Sequence, residues 1–131
     1  MLGRLTLADL SILGAVIAYM LPVMAAKYGA IKSFDNSKPR DPDFYKDPFR
    51  ARALGAHQNG LESFAFFVAA VIIAQMRGAA QPLVDGLAWA YLALRFVYVA
   101  LYLADKPSAR SIAWALAFAV NIAILLSAAR G

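Results

Sequence analysis

The sequence contains no cysteine, which excludes disulfides, an enzyme-borne thiolate nucleophile and cysteine-ligated metals. Any thiol in its chemistry has to arrive on a substrate. A single histidine, His57, argues against a multi-histidine metal centre. Charged residues are scarce at 16%, and long stretches have almost none. A soluble helical bundle needs a polar stripe on each helix, and 8–26, 61–75 and 112–129 carry none. No tandem repeat, low-complexity tract or second domain is visible.

What is abundant is apolar. Hydrophobic residues make up 62% of the chain, against about 45–50% in an ordinary soluble domain. They fall in blocks separated by short charged segments. Crossing the hydrocarbon core takes roughly 20 helical residues, and four blocks suffice: about 5–31, 49–76, 83–104 and 109–129. The fold class is therefore all-α, a membrane-embedded up-down four-helix bundle in one domain. Pro22 predicts a kink in the first helix. A cleaved signal peptide is the rival reading of that segment. Its lone Arg4, offset by Asp9, and its long apolar run argue against it. The one long connection, 32–48, is dense in turn formers such as Asn36, Pro39, Pro42 and Pro48. The other two are tight, which makes consecutive helices antiparallel. Many Ala and Gly residues permit close helix contacts in lipid.

The net charge of +5 does not point to nucleic acid, because the basic residues flank apolar segments. Lys32, Lys38, Arg40, Lys46, Arg50, Lys106 and Arg110 lie in or beside loops one and three. Only Arg4, Arg77 and Arg130 lie on the other side. The positive-inside rule puts loops one and three in the cytoplasm and both termini opposite. Arg50 and Lys106 read as orientation charges that snorkel to head groups.

Several polar residues sit at membrane depth. At about 100° per residue, Arg52, Asn59 and Glu62 share one face of the second helix, and His57 lies on another. Arg95, Tyr98 and Tyr102 form a stripe on the third helix, extended by Tyr91 and Asp105. Arg110, Trp114 and Asn121 lie together on the fourth. Antiparallel topology brings the start of helix two, the end of helix three and the start of helix four to one side of the membrane. A carboxylate at that depth is costly unless paired. Glu62 thus marks either a functional site or an interhelical Glu62–Arg95 ion pair that fixes packing. Tyr98 and Tyr102 read equally as interfacial belt residues. Asn121 reads as a packing hydrogen bond, His57 as a neutral, satisfied histidine, and Asp9 as a residue of the far interface. A site so composed suits a ligand with carboxylate, amine and amide groups, because arginine clamps carboxylates and glutamate binds ammonium. An arginine beside a thiol favours thiolate.

The segment Ala56-His57-Gln58-Asn59-Gly60-Leu61-Glu62 resembles the second-helix motif Arg-Ala-His-x-Asn-x-x-Glu of the MAPEG family, membrane-associated proteins in eicosanoid and glutathione metabolism. Arg95-x-x-Tyr98-x-x-x-Tyr102 resembles that family's third-helix pattern, and Arg110-Ser111 its fourth-helix Arg-Ser pair. The resemblance implies a homotrimer holding glutathione as co-substrate between protomers near the cytoplasmic side, and a lipophilic small molecule arriving from lipid. It implies a glutathione transferase or peroxidase in which His57, Asn59 and Glu62 bind glutathione, with Glu62 on its amine. By the same analogy Tyr98 and Tyr102 line the pocket beside Arg95, and Arg110 activates the thiol from a neighbouring subunit. The motif's arginine falls at Gly55 here, with Arg52 one turn earlier as its nearest substitute. Lys27 stands as a loose counterpart of a first-helix basic residue. Because the family includes a binding protein without catalysis, the alternative reading is a non-catalytic binding or assembly protein with a structural polar cluster.

Overall fold

A computed structural model describes residues 3–130. It contains four long helices, α1 (Leu7–Gly29), α2 (Pro48–Met76), α3 (Gln81–Leu103) and α4 (Pro107–Ser127), with short 3₁₀ turns at Phe44–Lys46 and Ala128–Arg130. No strand occurs among the described residues. Local chemistry sets where the helices begin. Thr6 and Asp9 form a capping box on α1: the Thr6 hydroxyl accepts from the Asp9 amide (3.0 Å) and the Asp9 carboxylate from the Thr6 amide (2.8 Å). Asp47 caps α2 by accepting from the Arg50 amide at 3.1 Å. Prolines occupy the first turns of α2, α3 and α4, where the missing N–H has no intrahelical partner to lose. The last two helices consequently start ahead of their apolar runs. α1 continues through Pro22 without a break.

The interior is built from small residues. Ala8, Ala53, Ala56, Ala70, Ala74, Ala88 and Ala117 are fully buried or nearly so, whereas Leu13, Ile17, Met76, Ile112, Leu116 and Leu126 are exposed. That arrangement is unfavourable in water and natural in lipid, where close backbone packing supplies the attraction and large side chains meet acyl chains. All four helices are long and apolar enough to cross a membrane. The protein is a multi-pass integral membrane protein. The largest buried pair, Phe67 and Tyr91, stacks at 4.1 Å between α2 and α3.

α3 packs against both α1 and α4, and α2 touches all three, while α1 and α4 do not meet among the described residues. At one end, the Asp9 end, a hydrogen-bonded network ties three helices. Gln75 donates to Asp9 (3.0 Å), and its carbonyl accepts from the Thr6 hydroxyl (2.8 Å) and from Gln81 (3.0 Å). Asp85 accepts from Gln81 and from the Ala8 amide, both at 2.8 Å. Trp89 adds a bond to the Leu7 carbonyl at 2.9 Å. At the opposite, Arg110 end, the long connection folds into a cap. Phe34, Phe44 and Tyr45 pack edge-on, with centroids 5.2 and 5.0 Å apart. Ser37 donates twice to Asp35, holding that carboxyl below the usual carboxylate range. The Arg50 guanidinium lies 4.4 Å over Phe44 and donates to the Phe44 carbonyl (3.3 Å) and the Ser33 hydroxyl (3.4 Å).

Candidate functional site

The gap between α2 and α4 forms a groove of two adjoining compartments. The outer one, about 240 Å³, lies toward the Arg110 end and is lined by Gly55, Asn59, Tyr98, Tyr102, Arg110, Ser111 and Trp114. The inner one, about 250 Å³, is lined by Asn59, Glu62, Ser63, Phe66, Trp114, Phe118 and Asn121. Asn59 and Trp114 line both, so the compartments adjoin. Helical period explains the lining: Asn59, Ser63 and Phe66 recur at four and three residues on α2, as do Arg110, Trp114, Phe118 and Asn121 on α4.

The outer compartment is held by alternating rings and cations. The Arg110 guanidinium lies 4.4 Å over the Tyr102 ring. Tyr102 meets Tyr98 edge-on at 5.7 Å, and Arg95 lies 4.2 Å over Tyr98 on the other side. Tyr102 also fills the space next to Gly55, so the missing side chain leaves no void there. The inner compartment is aromatic on α4, where Trp114 and Phe118 stack at 5.4 Å, nearly parallel. Its polar atoms are short of partners: Asn59 Oδ1 and both amide atoms of Asn121 are buried without a hydrogen bond. Glu62 is exposed at the groove.

The structure brings Asn59, Glu62, Tyr98, Tyr102 and Arg110 together. It sets Arg52, His57 and Arg95 outside the lining of either compartment. His57 turns to α1, where Nδ1 donates to the Tyr19 carbonyl at 2.6 Å, one turn before Pro22. Arg95 is 3% exposed behind the groove, close to the α1–α2 crossing at Gly60. It is not paired with Glu62, because the only ion pair among the described residues joins Lys46 to Asp43 in the cap. Glu62 is therefore free for another partner. Lys27 faces Phe34 in the cap at 5.1 Å.

Asn121, expected to make a packing hydrogen bond, is 1% exposed beside the Tyr91 hydroxyl, and neither of its amide atoms has a partner in regular hydrogen-bond geometry. Sequence reading also passed over Phe66, Ser63 and Phe118, although each continues the spacing of a residue already singled out. Ser63 bonds the Tyr91 hydroxyl at 2.6 Å, a link that no spacing rule would find across two helices.

With this geometry in place, comparison with known families is decisive. The family model described as the MAPEG family matches residues 6–130. The chain belongs to the MAPEG family. No curated protein and no solved structure matches it. The match covers all four helices, so the groove of this MAPEG chain lies wholly inside the family's region. No group of three or more His, Cys, Asp or Glu residues able to hold a metal occurs among the described residues.

Proposed function

We propose that this MAPEG chain binds glutathione and acts as a transferase or peroxidase on lipophilic electrophiles. The observation that carries this reading is the single groove in which Asn59 and Glu62 of α2 meet Tyr98 and Tyr102 of α3 and Arg110 of α4. Glutathione is a tripeptide with an ammonium, two carboxylates, two amides and a thiol. The groove offers a carboxylate at Glu62, an unused acceptor at Asn59 Oδ1 and a cation at Arg110. The donor set fits that ligand at both ends.

Glutathione supplies a nucleophilic thiolate when bound. Glu62 and Asn59 would hold its ammonium at the inner end, since a carboxylate and a free carbonyl accept N–H bonds. Arg110 places a fixed positive charge at the outer compartment, where it lowers the pKa of a neighbouring thiol. Tyr102 keeps that guanidinium in place through ring contact, and Ser111 adds a hydroxyl beside it. Trp114 and Phe118 are half exposed at the groove's rim, which gives an apolar electrophile a route from lipid. Catalysis then rests on proximity and electrostatic stabilisation.

The same reading includes a homotrimer with loops one and three in the cytoplasm. On α2, Gln58, Glu62, Ala65, Ala69 and Ile72 are exposed along one side. An amide and a carboxylate among alanines at membrane depth favour a protein neighbour over lipid. A monomer or dimer mass in mild detergent would remove the trimer, and a cytoplasmic reporter fused after Gly131 would reverse the orientation.

The test of binding is thermal unfolding in detergent with and without glutathione. Ligand at a hundred times its Kd adds about 2.7 kcal/mol to a fold that binds it. No stabilisation at high millimolar glutathione would return the groove to a structural role.

A further inference from the structure

We propose that Asn121 is a ligand-binding residue, and that it reads the α-amino-acid head of a γ-glutamyl thiol at the inner end of the groove. This rests on the glutathione reading and specifies which part of the ligand lies deepest.

The case begins with a buried amide that packing does not explain. Asn121 lies in the middle of α4, is 1% exposed and lines the inner compartment. Neither its Oδ1 nor its Nδ2 has a hydrogen-bond partner. The Tyr91 hydroxyl lies beside the amide, but its short bond is to Ser63 at 2.6 Å, and no partner in regular hydrogen-bond geometry reaches either amide atom. An unsatisfied buried amide is costly, more so at membrane depth, where no solvent compensates. The cost is removed if a ligand brings both a donor and an acceptor to the same place.

The remaining lining narrows that ligand. An α-amino-acid head carries an ammonium and a carboxylate on one carbon. Glu62 and the free Asn59 Oδ1 accept from an ammonium. Asn121 adds a second, fully buried amide to that set: its Nδ2 donates to a carboxylate, while Oδ1 faces the adjoining ammonium. The three residues line one compartment of about 250 Å³. With Asn121 the compartment offers both halves of a zwitterion a buried partner. Phe66, Trp114 and Phe118 wall the space with aromatic carbon and leave a methylene chain well accommodated.

The experiment compares two thiols by calorimetry on the full chain in detergent. One is glutathione. The other is butanoyl-cysteinylglycine, which keeps the thiol and peptide but lacks both head groups. Wild type should bind glutathione about 10- to 100-fold more tightly, as expected for hydrogen bonds to charged groups. Asn121→Leu should lose about tenfold or more on glutathione and nothing on the butanoyl compound. Without ligand, the variant should be at least as stable as wild type, since an unsatisfied amide has been replaced by a side chain of similar size. Failure of wild type to bind either thiol would sink the glutathione reading and this inference with it. Glutathione binding undiminished in Asn121→Leu would sink this inference alone. So would an equal loss on both thiols, or a lowered unfolding temperature in the unliganded variant, because each would give Asn121 a structural role.

Discussion

Tyr102 occupies the volume that a side chain at position 55 would need. A Cβ built on Gly55 would overlap the Tyr102 hydroxyl and lie 2.8 Å from its Cζ, and the same ring carries the Arg110 guanidinium at 4.4 Å. The family's motif arginine at this position and a tyrosine packed as Tyr102 is here are thus mutually exclusive. The clashing atoms are the far end of a side chain that can swing away. Gly55→Ala should therefore leave stability within about 1 kcal/mol, helix propensity offsetting part of the strain. Its effect should fall on Arg110, which loses its ring. Gly55→Ala and Tyr102→Ala should each slow conjugation of a lipophilic electrophile, and the double variant should be no slower than Tyr102→Ala alone. Additive losses in steady-state kinetics would contradict a shared route through Tyr102.

Gly60 provides the opposite case. A Cβ there would meet Tyr19 at its Cβ (2.5 Å) and Cα (3.2 Å), atoms that move only with the α1 backbone. Gly60→Ala should lower stability by about 1–3 kcal/mol despite the better helix former. Thermal unfolding in detergent reads this directly, and an unchanged midpoint would show that α1 shifts freely over α2.

Arg110→Ala should reduce turnover by about 10²–10³-fold with glutathione binding little changed, the usual cost of losing one stabilising donor. Lys at this position should rescue in part, keeping charge but not the planar fork. The thiolate absorbance of bound glutathione across a pH series gives the check. An unaltered thiol pKa in Arg110→Ala would take the residue out of the mechanism.

Asp85→Ala should loosen the Asp9 end. It strips an acceptor from the Ala8 amide and from Gln81, and an orphaned buried donor costs about 1–3 kcal/mol. Faster hydrogen exchange at residues 7–10, with the Arg110 end unaffected, is the expected signature.

The cap should respond to alkaline pH. Burial pushes the Tyr45 phenol above its ordinary value of 10.0. A folded-state pKa raised in this way gives stability that is complete below the unfolded value and is lost as pH rises past it. Limited proteolysis within 32–48 should accelerate above about pH 10, and Tyr45→Phe should abolish that acceleration.

The four helices were legible because lipid demands long apolar segments, and turn residues and prolines separate them. The convergence of Asn59, Glu62, Tyr98, Tyr102 and Arg110 was legible because antiparallel topology and helical period fix both depth and face. Two residues escaped that logic. Arg52 shares a nominal face with Asn59, yet a face spans both groove and flank. His57 followed it: helical period set it on another face, and it lies off the groove, bonded to the Tyr19 carbonyl of α1. Arg95 follows the stripe of Tyr98 and Tyr102 but turns behind the groove, near the point where α1 crosses α2 at Gly60. Asp85 and Gln81, which close the Asp9 end, gave no signal because each looks like an ordinary polar residue at a helix start.

The two ends of the bundle are fastened by different forces, and this sets where it can breathe. The hydrogen bonds among Thr6, Asp9, Gln75, Gln81 and Asp85 are directional, and they fail when donor and acceptor slide by an ångström. The ring and cation contacts among Arg95, Tyr98, Tyr102 and Arg110 depend mainly on distance over a broad face, so they survive such sliding. α4 takes no part in the Asp9-end network and does not touch α1. It is a tine laid along α3, outside the stitched network. Outward movement of that tine would widen the groove without breaking one of those hydrogen bonds.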